Sequence, residues 1–537
     1  MSVGEVVGVP LWARSSLRDR VGRDPLGLQT TTQDRLMPLL LPGVLELSRQ
    51  PRYLSFHVWL LSWYQRERLK PSRSAQELFI RRSEWDLGLA VLACARCSSS
   101  PVGATRLRGV DRGGNQLPRG LSVKTEYGGY GLYYRSPLEQ LGCVSRAGVT
   151  LPDGTLREVD VLTSSPRAEA LAETFAAVIE PTQWVADGWL TRTDPIPREV
   201  IEELSALACL CRLPGSDAER DAVHAVLFDV DATDSESVLV EAQQRRRGFA
   251  HYLSQLDGHG EMVSDESSYR RGMSTVPEDA HEVQQHTAGL WAGLVAKDVW
   301  QEALCSLWDT WLEVALTFAQ ARQRDTLQPS EVQQLLAELA TDGTDPTLNL
   351  QQATSDLDRD LAAGLTVATP QGPLVLSGCD LEALRVYTEQ VGTAASALLT
   401  VLALRQLAAG RDDPGWRTTA MVGSAWQPSL AQAMARLDMH LDGRPTVADT
   451  VGWLVREFVL GRHEAIGNSK LPEFTFRWRW EEGRLRLYDH GRGRFPRAAI
   501  RQVPFATVSR GLALWEQGKN GPQVSARGKL FVDEVFA

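Results

Sequence analysis

HEVQQHTAGLWAGLVAKDVWQEALCSLWDTWLEVALTFAQAR, residues 281–322, is the longest helical pattern in the chain, with Trp291, Trp300, Trp308, Trp311 and Phe318 distributed along it. Aromatic residues at helical spacing build a core more often than they contact a cofactor, so the stretch predicts a long packed helix. Around it, 195–410 reads as helical almost throughout, with loops marked at 258–277, 341–358 and 410–415. No unit of 20–50 residues repeats, which argues against a solenoid.

On the N-terminal side, Tyr53, Phe56, Leu60 and Trp63 recur at three- and four-residue steps and predict a helix over 52–70, closed by Pro71. Ser74 and Glu77 form a capping-box signature for a second helix, apolar enough from Leu87 to Ala95 to be buried. Beyond Pro101 glycines punctuate the chain, and Tyr127-Gly-Gly-Tyr130-Gly-Leu-Tyr133-Tyr134-Arg135 combines rings, glycines and a cation. A strand over 156–163 and a helix opening at Ser165-Pro166 and reaching about Ile179 complete what resembles a winged-helix arrangement.

On the C-terminal side, Thr446 and Asp449 signal the start of a helix reaching about Gly461. Phe474-Thr-Phe-Arg-Trp-Arg-Trp480 then alternates, with Phe474, Phe476, Trp478 and Trp480 on one face and Arg477 and Arg479 on the other. Glu482-Gly483 supplies a turn, and the alternation resumes with Arg484 and Arg486 against Leu485 and Leu487, which predicts a hairpin. One or two helices are expected around 497–517. The fold class expected is mainly α and multi-domain: a helical body with small β-hairpin or winged-helix-like modules near both ends. The expected divisions are 1–185, 186–345, 346–460 and 461–537.

The 537 residues exceed one compact core, and 43% hydrophobic with 23% charged residues suits a globular chain. Apolar runs fall short of the ~20 residues a membrane span needs, and the first fifteen residues carry no signal-peptide pattern, so a cytoplasmic protein without membrane contact is expected. Seven cysteines, an odd number, make no disulfide framework. Only six of the 57 basic residues are lysine, a bias that reads as a GC-rich bacterial genome. The net charge of −10 divides unevenly: +9 over 1–135, +8 over 461–530 and −27 over the remainder. Basic ends concentrate a polyanion, while an acidic middle repels it.

Several motifs invite chemistry. Asp229-Val-Asp231-Ala-Thr233 resembles the first motif of haloacid-dehalogenase-type phosphatases, whose paired carboxylates attack phosphorus and suit magnesium. That motif needs a strand, whereas Ser216, Asp217 and Glu219 open a helix that runs into it. Arg246 and His251 resemble the Arg-x4-His pair of HEPN-type ribonucleases, though 51 arginines and nine histidines place about one such pair in the chain by chance. Cys94 and Cys97 form one Cys-x-x-Cys; Cys209 and Cys211 are too close to repeat it, and His281 and His286 are five apart. With no second pair, Cys94 and Cys97 are expected as buried structural thiols, with no metal and no cofactor. Phosphate-loop, nucleophile-elbow and His-Glu-x-x-His motifs are absent.

The residues expected to contact nucleic acid are Tyr130, Tyr134, Arg135, Arg477, Arg479, Arg484, Arg486, Arg492 and Arg494: rings for stacking, and guanidinium groups crowded on one hairpin face. Leu41-Pro-Gly-Val-Leu, Arg52-Tyr-Leu-Ser-Phe-His-Val-Trp59 and Tyr130-Gly-Leu-Tyr-Tyr-Arg-Ser-Pro-Leu-Glu-Gln-Leu-Gly142 resemble uncharacterised bacterial proteins encoded beside genome-defence genes, over the first third of the chain. The resemblance implies an accessory subunit of an anti-phage or DNA-handling system, working with other protein subunits, and supplies no catalytic residues. The function expected is a non-enzymatic DNA-associated subunit. The alternatives are a nuclease or phosphohydrolase using Arg246/His251 or Asp229/Asp231, and an interaction scaffold without nucleic acid.

Overall fold

The computed structural model describes residues 24–97, 99–111, 113–150, 156–232, 234–277, 279–339, 345–376, 380–471, 475–488, 495 and 497–537. The chain is mainly helical, with small antiparallel sheets of two or three strands. Among the described residues no helix is long and apolar enough to cross a membrane. Two compact units form, neither continuous in sequence. Described residues up to Met37 join Met273–Ala498 in a tryptophan unit; Pro38–Gly272 joins Ala499–Ala537 in a cysteine unit. The four consecutive divisions expected do not map onto these units, because N-terminal and C-terminal segments complete cores begun elsewhere in the chain.

In the tryptophan unit, Glu282–Ala321 is a single helix of 40 residues. Trp291, Trp300, Trp308 and Trp311 are buried along it, and Phe318 is partly so. Helices Leu381–Val391, Ala394–Gly410 and Pro414–Ala420 pack against it. The last comes so close that a Cβ on Gly415 would collide with the His286 carbonyl, a contact only glycine permits. Leu365–Thr369 and Gly372–Leu376 form a hairpin where a helix was expected; the β-branched Thr366, Val367 and Thr369 favour the extended chain.

The C-terminal hairpin forms as expected, with Trp478–Glu481 paired to Arg484–Leu487. Glu482 and Gly483 take φ of 49° and 75°, the left-handed pair that a tight two-residue hairpin turn requires. Thr326–Leu327 adds a third strand. Trp478 packs 4.5 Å from Trp308, between ring centroids, whereas Trp480, nearer the turn, is 39% exposed and departs from the expected inward face. Phe474 lies outside the described residues.

The cysteine unit pairs helix Arg52–Arg66 with Pro166–Ile179, and Arg73–Ala93 with Arg198–Ala208. The first helix stops four residues short of the expected end, at Arg66, and Arg68 takes φ of 50°. The second is capped by Ser72, two residues before the expected Ser74; its hydroxyl accepts from the Ala75 amide. In place of the expected strand over 156–163, Val161–Leu162 pairs with Val144–Ser145 and Leu156 makes an isolated bridge to Thr150. Gln502–Gly511 is helical, but Trp515–Gly518, at the end of the span expected to be helical, is a strand and pairs with Gly521–Val524 in a hairpin.

The glycine and tyrosine cluster is helical, not a wing. Tyr130–Tyr134 forms a π-helical turn leading into helix Arg135–Gln140. Glu84, buried on Arg73–Ala93, accepts the amides of Gly129 and Tyr130 and so caps the turn from a neighbouring helix. The glycines serve close packing: a Cβ on Gly129 would strike Val102, and one on Gly131 the Glu126 carbonyl.

Candidate nucleic-acid interface

The tyrosines expected to face a ligand instead fill the core. Tyr130 and Tyr134 are 0% and 2% exposed and pack against His57 at 5.2 and 5.3 Å between ring centroids. The Tyr130 hydroxyl donates to Asp160 Oδ2 at 2.8 Å, and the Arg135 guanidinium grips both oxygens of the same buried carboxylate at 2.6 and 2.8 Å. Arg135 also lies over the Tyr127 ring at 4.8 Å. Burying Asp160 requires these partners, and that demand explains the residue types better than stacking on bases.

On the hairpin, Arg479 stands directly opposite Arg486, and Glu481 opposite Arg484. Arg486 pairs with Glu481 at 2.9 Å and Asp325 at 3.0 Å, and Arg479 lies over the Phe476 ring at 5.1 Å. The Arg477 amide donates to His463 Nε2 at 2.8 Å. The hairpin gathers arginines as expected, yet carboxylates neutralise part of the charge. Arg492 and Arg494 lie outside the described residues.

The two candidate catalytic pairs have structural surroundings. Asp229 follows the end of helix Asp217–Phe228, and Asp231 accepts from Ser165 Oγ at 2.7 Å and Arg167 Nε at 3.0 Å. Thr233 lies outside the described residues. Arg246 lies 3.3 Å from Glu534 and 3.7 Å from Asp229, while His251 is fully buried. The helix carrying both, Glu236–Leu256, directs them to different surroundings.

A basic groove that sequence spacing did not reveal lies within the cysteine unit. Two cavities of about 840 and 550 Å³ share Gln50 and Thr507 in their walls. Arg49, Arg106 and Lys124 line the first, and Arg96, Arg212 and Arg510 the second; no carboxylate lines either. Arg49 pairs with Glu46 at 3.2 Å. Among the described residues the other five make no ion pair. Arg106 is aimed by its bonds to the carbonyls of Leu121 and Ser122 at 2.7 and 2.6 Å, and Arg510 lies 5.7 Å over the Trp515 ring. Tyr133, half-buried, adds an aromatic wall. Such a surface has cations without counter-charges, the property that draws phosphate groups.

The floor of the second cavity includes Cys97 and Cys211. Contrary to expectation, Cys94 and Cys97 are not an isolated pair of buried thiols. Both are half-buried, and the sulfurs of Cys94, Cys97, Cys209 and Cys211 all lie within 4.8 Å of one another. Among the described residues, this is the group of Cys, His, Asp and Glu close enough to share one metal ion. The missed signal was the Cys-x-Cys at 209–211, which gains meaning only when helix packing carries it to the Cys-x-x-Cys.

Beneath the first cavity, Tyr53 accepts the Val102 amide at 3.0 Å and packs on His57. Burial lowers His57 to a pKa of about 3. Burial raises Glu84 to about 7, against the hydrogen bonds from Ser122, Gly129 and Tyr130. The chain matches none of the known proteins with which it was compared, whether as family models, curated sequences or solved structures.

Proposed function

We propose that this chain is a non-enzymatic, DNA-associated subunit that holds the phosphate backbone in the groove of its cysteine unit. The observation that carries the reading is the set of six basic side chains, five of them without an ion-pair partner among the described residues, lining adjoining cavities that contain no carboxylate. In a chain of net charge −10, such a surface costs self-repulsion unless an anion offsets it. The acidic remainder limits non-specific adhesion. Partner subunits supply any chemistry, in keeping with the resemblance to proteins encoded beside genome-defence genes.

The test is an electrophoretic mobility series on duplex DNA over rising salt. Binding should weaken steeply with salt, with a logarithmic slope of about −0.9 per phosphate contacted. Reversing Arg96, Arg212 and Arg510 to glutamate should remove most of both the affinity and the slope. Absence of salt-sensitive binding to any duplex or single strand by the wild-type chain overturns the proposal.

A further inference from the structure

The four-cysteine cluster supports a conclusion independent of nucleic-acid binding. Helix Arg73–Ala93 ends at Cys94, whose extended backbone (φ −69°, ψ 118°) turns the chain into Cys94-Ala-Arg-Cys97. Helix Arg198–Ala208 ends at Cys209 (φ −56°, ψ 142°) and passes into the 3-10 turn Leu210–Gly215, which carries Cys211. These helices pack against one another, and their C-terminal ends deliver two thiols each to one place.

The distances decide what the cluster is built for. Cys94 to Cys211 is 3.8 Å, Cys97 to Cys209 is 3.6 Å, and Cys211 to Cys209 is 3.6 Å. A disulfide needs about 2.05 Å and would draw the sulfurs together in pairs. A tetrahedron with metal–sulfur bonds of about 2.3 Å has sulfur–sulfur edges of about 3.8 Å, matching the observed separations. A polynuclear iron–sulfur body would spread the thiolates further apart, around several metal atoms.

The surroundings supply what a tetrathiolate needs. Arg96 and Arg212 stand beside the ligands in sequence and line the same cavity as Cys97 and Cys211. Behind the site, Arg52 donates to the carbonyls of Cys209 and Leu207 at 2.7 and 2.9 Å, and the buried Glu219 holds Arg52 at 2.8 Å. Outer partners of this kind fix a ligand's backbone before the metal arrives.

We propose that Cys94, Cys97, Cys209 and Cys211 bind one tetrahedral zinc ion, which clamps the two helix ends together and forms part of the groove floor. Binding converts four thiols to thiolates and releases four protons, so affinity falls in acid. Four protein ligands close the coordination sphere, which makes the site structural rather than catalytic. The clamp joins segments more than 100 residues apart, where restricting the unfolded chain has a large entropic effect.

Elemental analysis of the full chain, purified under reducing conditions without chelator, should find one zinc per chain. Cys97→Ser should abolish it, and Cys97→His, which keeps a ligand at the position, should retain it. Because either variant can fail to fold, the wild-type protein provides a second measurement. A mercurial that caps the thiols should release one zinc to a chromophoric chelator, and cobalt exchanged into the site should show tetrahedral thiolate absorption. Four freely titrating thiols in metal-free native protein overturn the proposal, as does stoichiometric iron. Neither outcome depends on DNA binding.

Discussion

The C-terminal hairpin and the cysteine-unit groove are both rich in arginine, yet carboxylates stand among the arginines of the hairpin and none lines the groove. On the hairpin, strand alternation places arginines side by side, and Glu481 and Asp325 then neutralise part of them. In the groove, Arg96, Arg106, Arg212 and Arg510 come from segments as far apart in the chain as positions 96 and 510, and no carboxylate joins them in the lining. A run of like charges along a strand is conspicuous in sequence but carries its counter-ions nearby. An electrostatic site assembled from distant segments is inconspicuous in sequence but can exclude carboxylates by packing.

The largest expected effect falls on the groove. Arg96→Glu, Arg212→Glu and Arg510→Glu together should lower duplex-DNA affinity on the order of 1,000-fold at low salt, about 4 kcal/mol. Circular dichroism should be unchanged, since two of the three side chains are exposed. If the hairpin reversal Arg479→Glu with Arg486→Glu has the larger effect on the binding isotherm, the assignment of the interface moves to the tryptophan unit.

Next comes the arginine that resembles a ligand contact but serves the core. Arg135→Ala leaves the buried Asp160 without its bidentate partner and should cost about 3 kcal/mol in urea denaturation. DNA affinity of the folded fraction should stay within about twofold, because Arg135 lines neither cavity. A large loss of affinity without loss of stability would show the opposite role.

Glu84 yields a pH-dependent prediction. Its folded-state pKa of about 7, raised by burial, means the folded chain holds a proton that the unfolded chain releases from about pH 4.5 upward. This group therefore lowers stability as pH rises from about 4.5 to 7. His57, lowered to about 3, acts oppositely: its contribution is complete above about 6.5 and is lost as pH falls towards 3. Glu84→Gln removes the first effect alone, so the variant's stability relative to wild type should improve by on the order of 2 kcal/mol between pH 5 and pH 7.5. Thermal melts at the two pH values measure it; a difference that stays constant with pH contradicts the assignment.

The smallest effect sharpens the comparison from the hairpin side. Arg479→Glu replaces a like-charge cross-strand pair with an attractive one and should stabilise the tryptophan unit by a few tenths to about 1 kcal/mol. A denaturant titration of the full chain reads it through the transition of that unit.

Local physics made part of this molecule legible. The helix Glu282–Ala321 and the hairpin at Glu482-Gly483 rest on periodicity and turn chemistry, which act over a few residues and need no knowledge of distant partners. Gly128 to Gly131 misled for an instructive reason. Glycine serves mobile loops and tight packing alike, and only the approach of Val102 and Glu126 distinguishes the two. The tyrosines around it were legible as a cluster, but their direction was decided by the buried carboxylates of Glu84 and Asp160.

What the amino-acid order determined alone was the helical character of the body, the hairpin register and the segregation of charge along the chain. Tertiary structure decided which charges remain uncompensated and which thiols meet. Cys97 and Cys209 stand 112 residues apart, and nothing local links Cys-x-x-Cys to Cys-x-Cys. The packing of helix Arg73–Ala93 on Arg198–Ala208 brings their C-terminal ends together, and with them four sulfurs at the spacing one metal ion requires. A non-local contact of this kind follows from burying apolar helix faces across the whole unit, an energy summed over many residues and invisible in the spacing of any few.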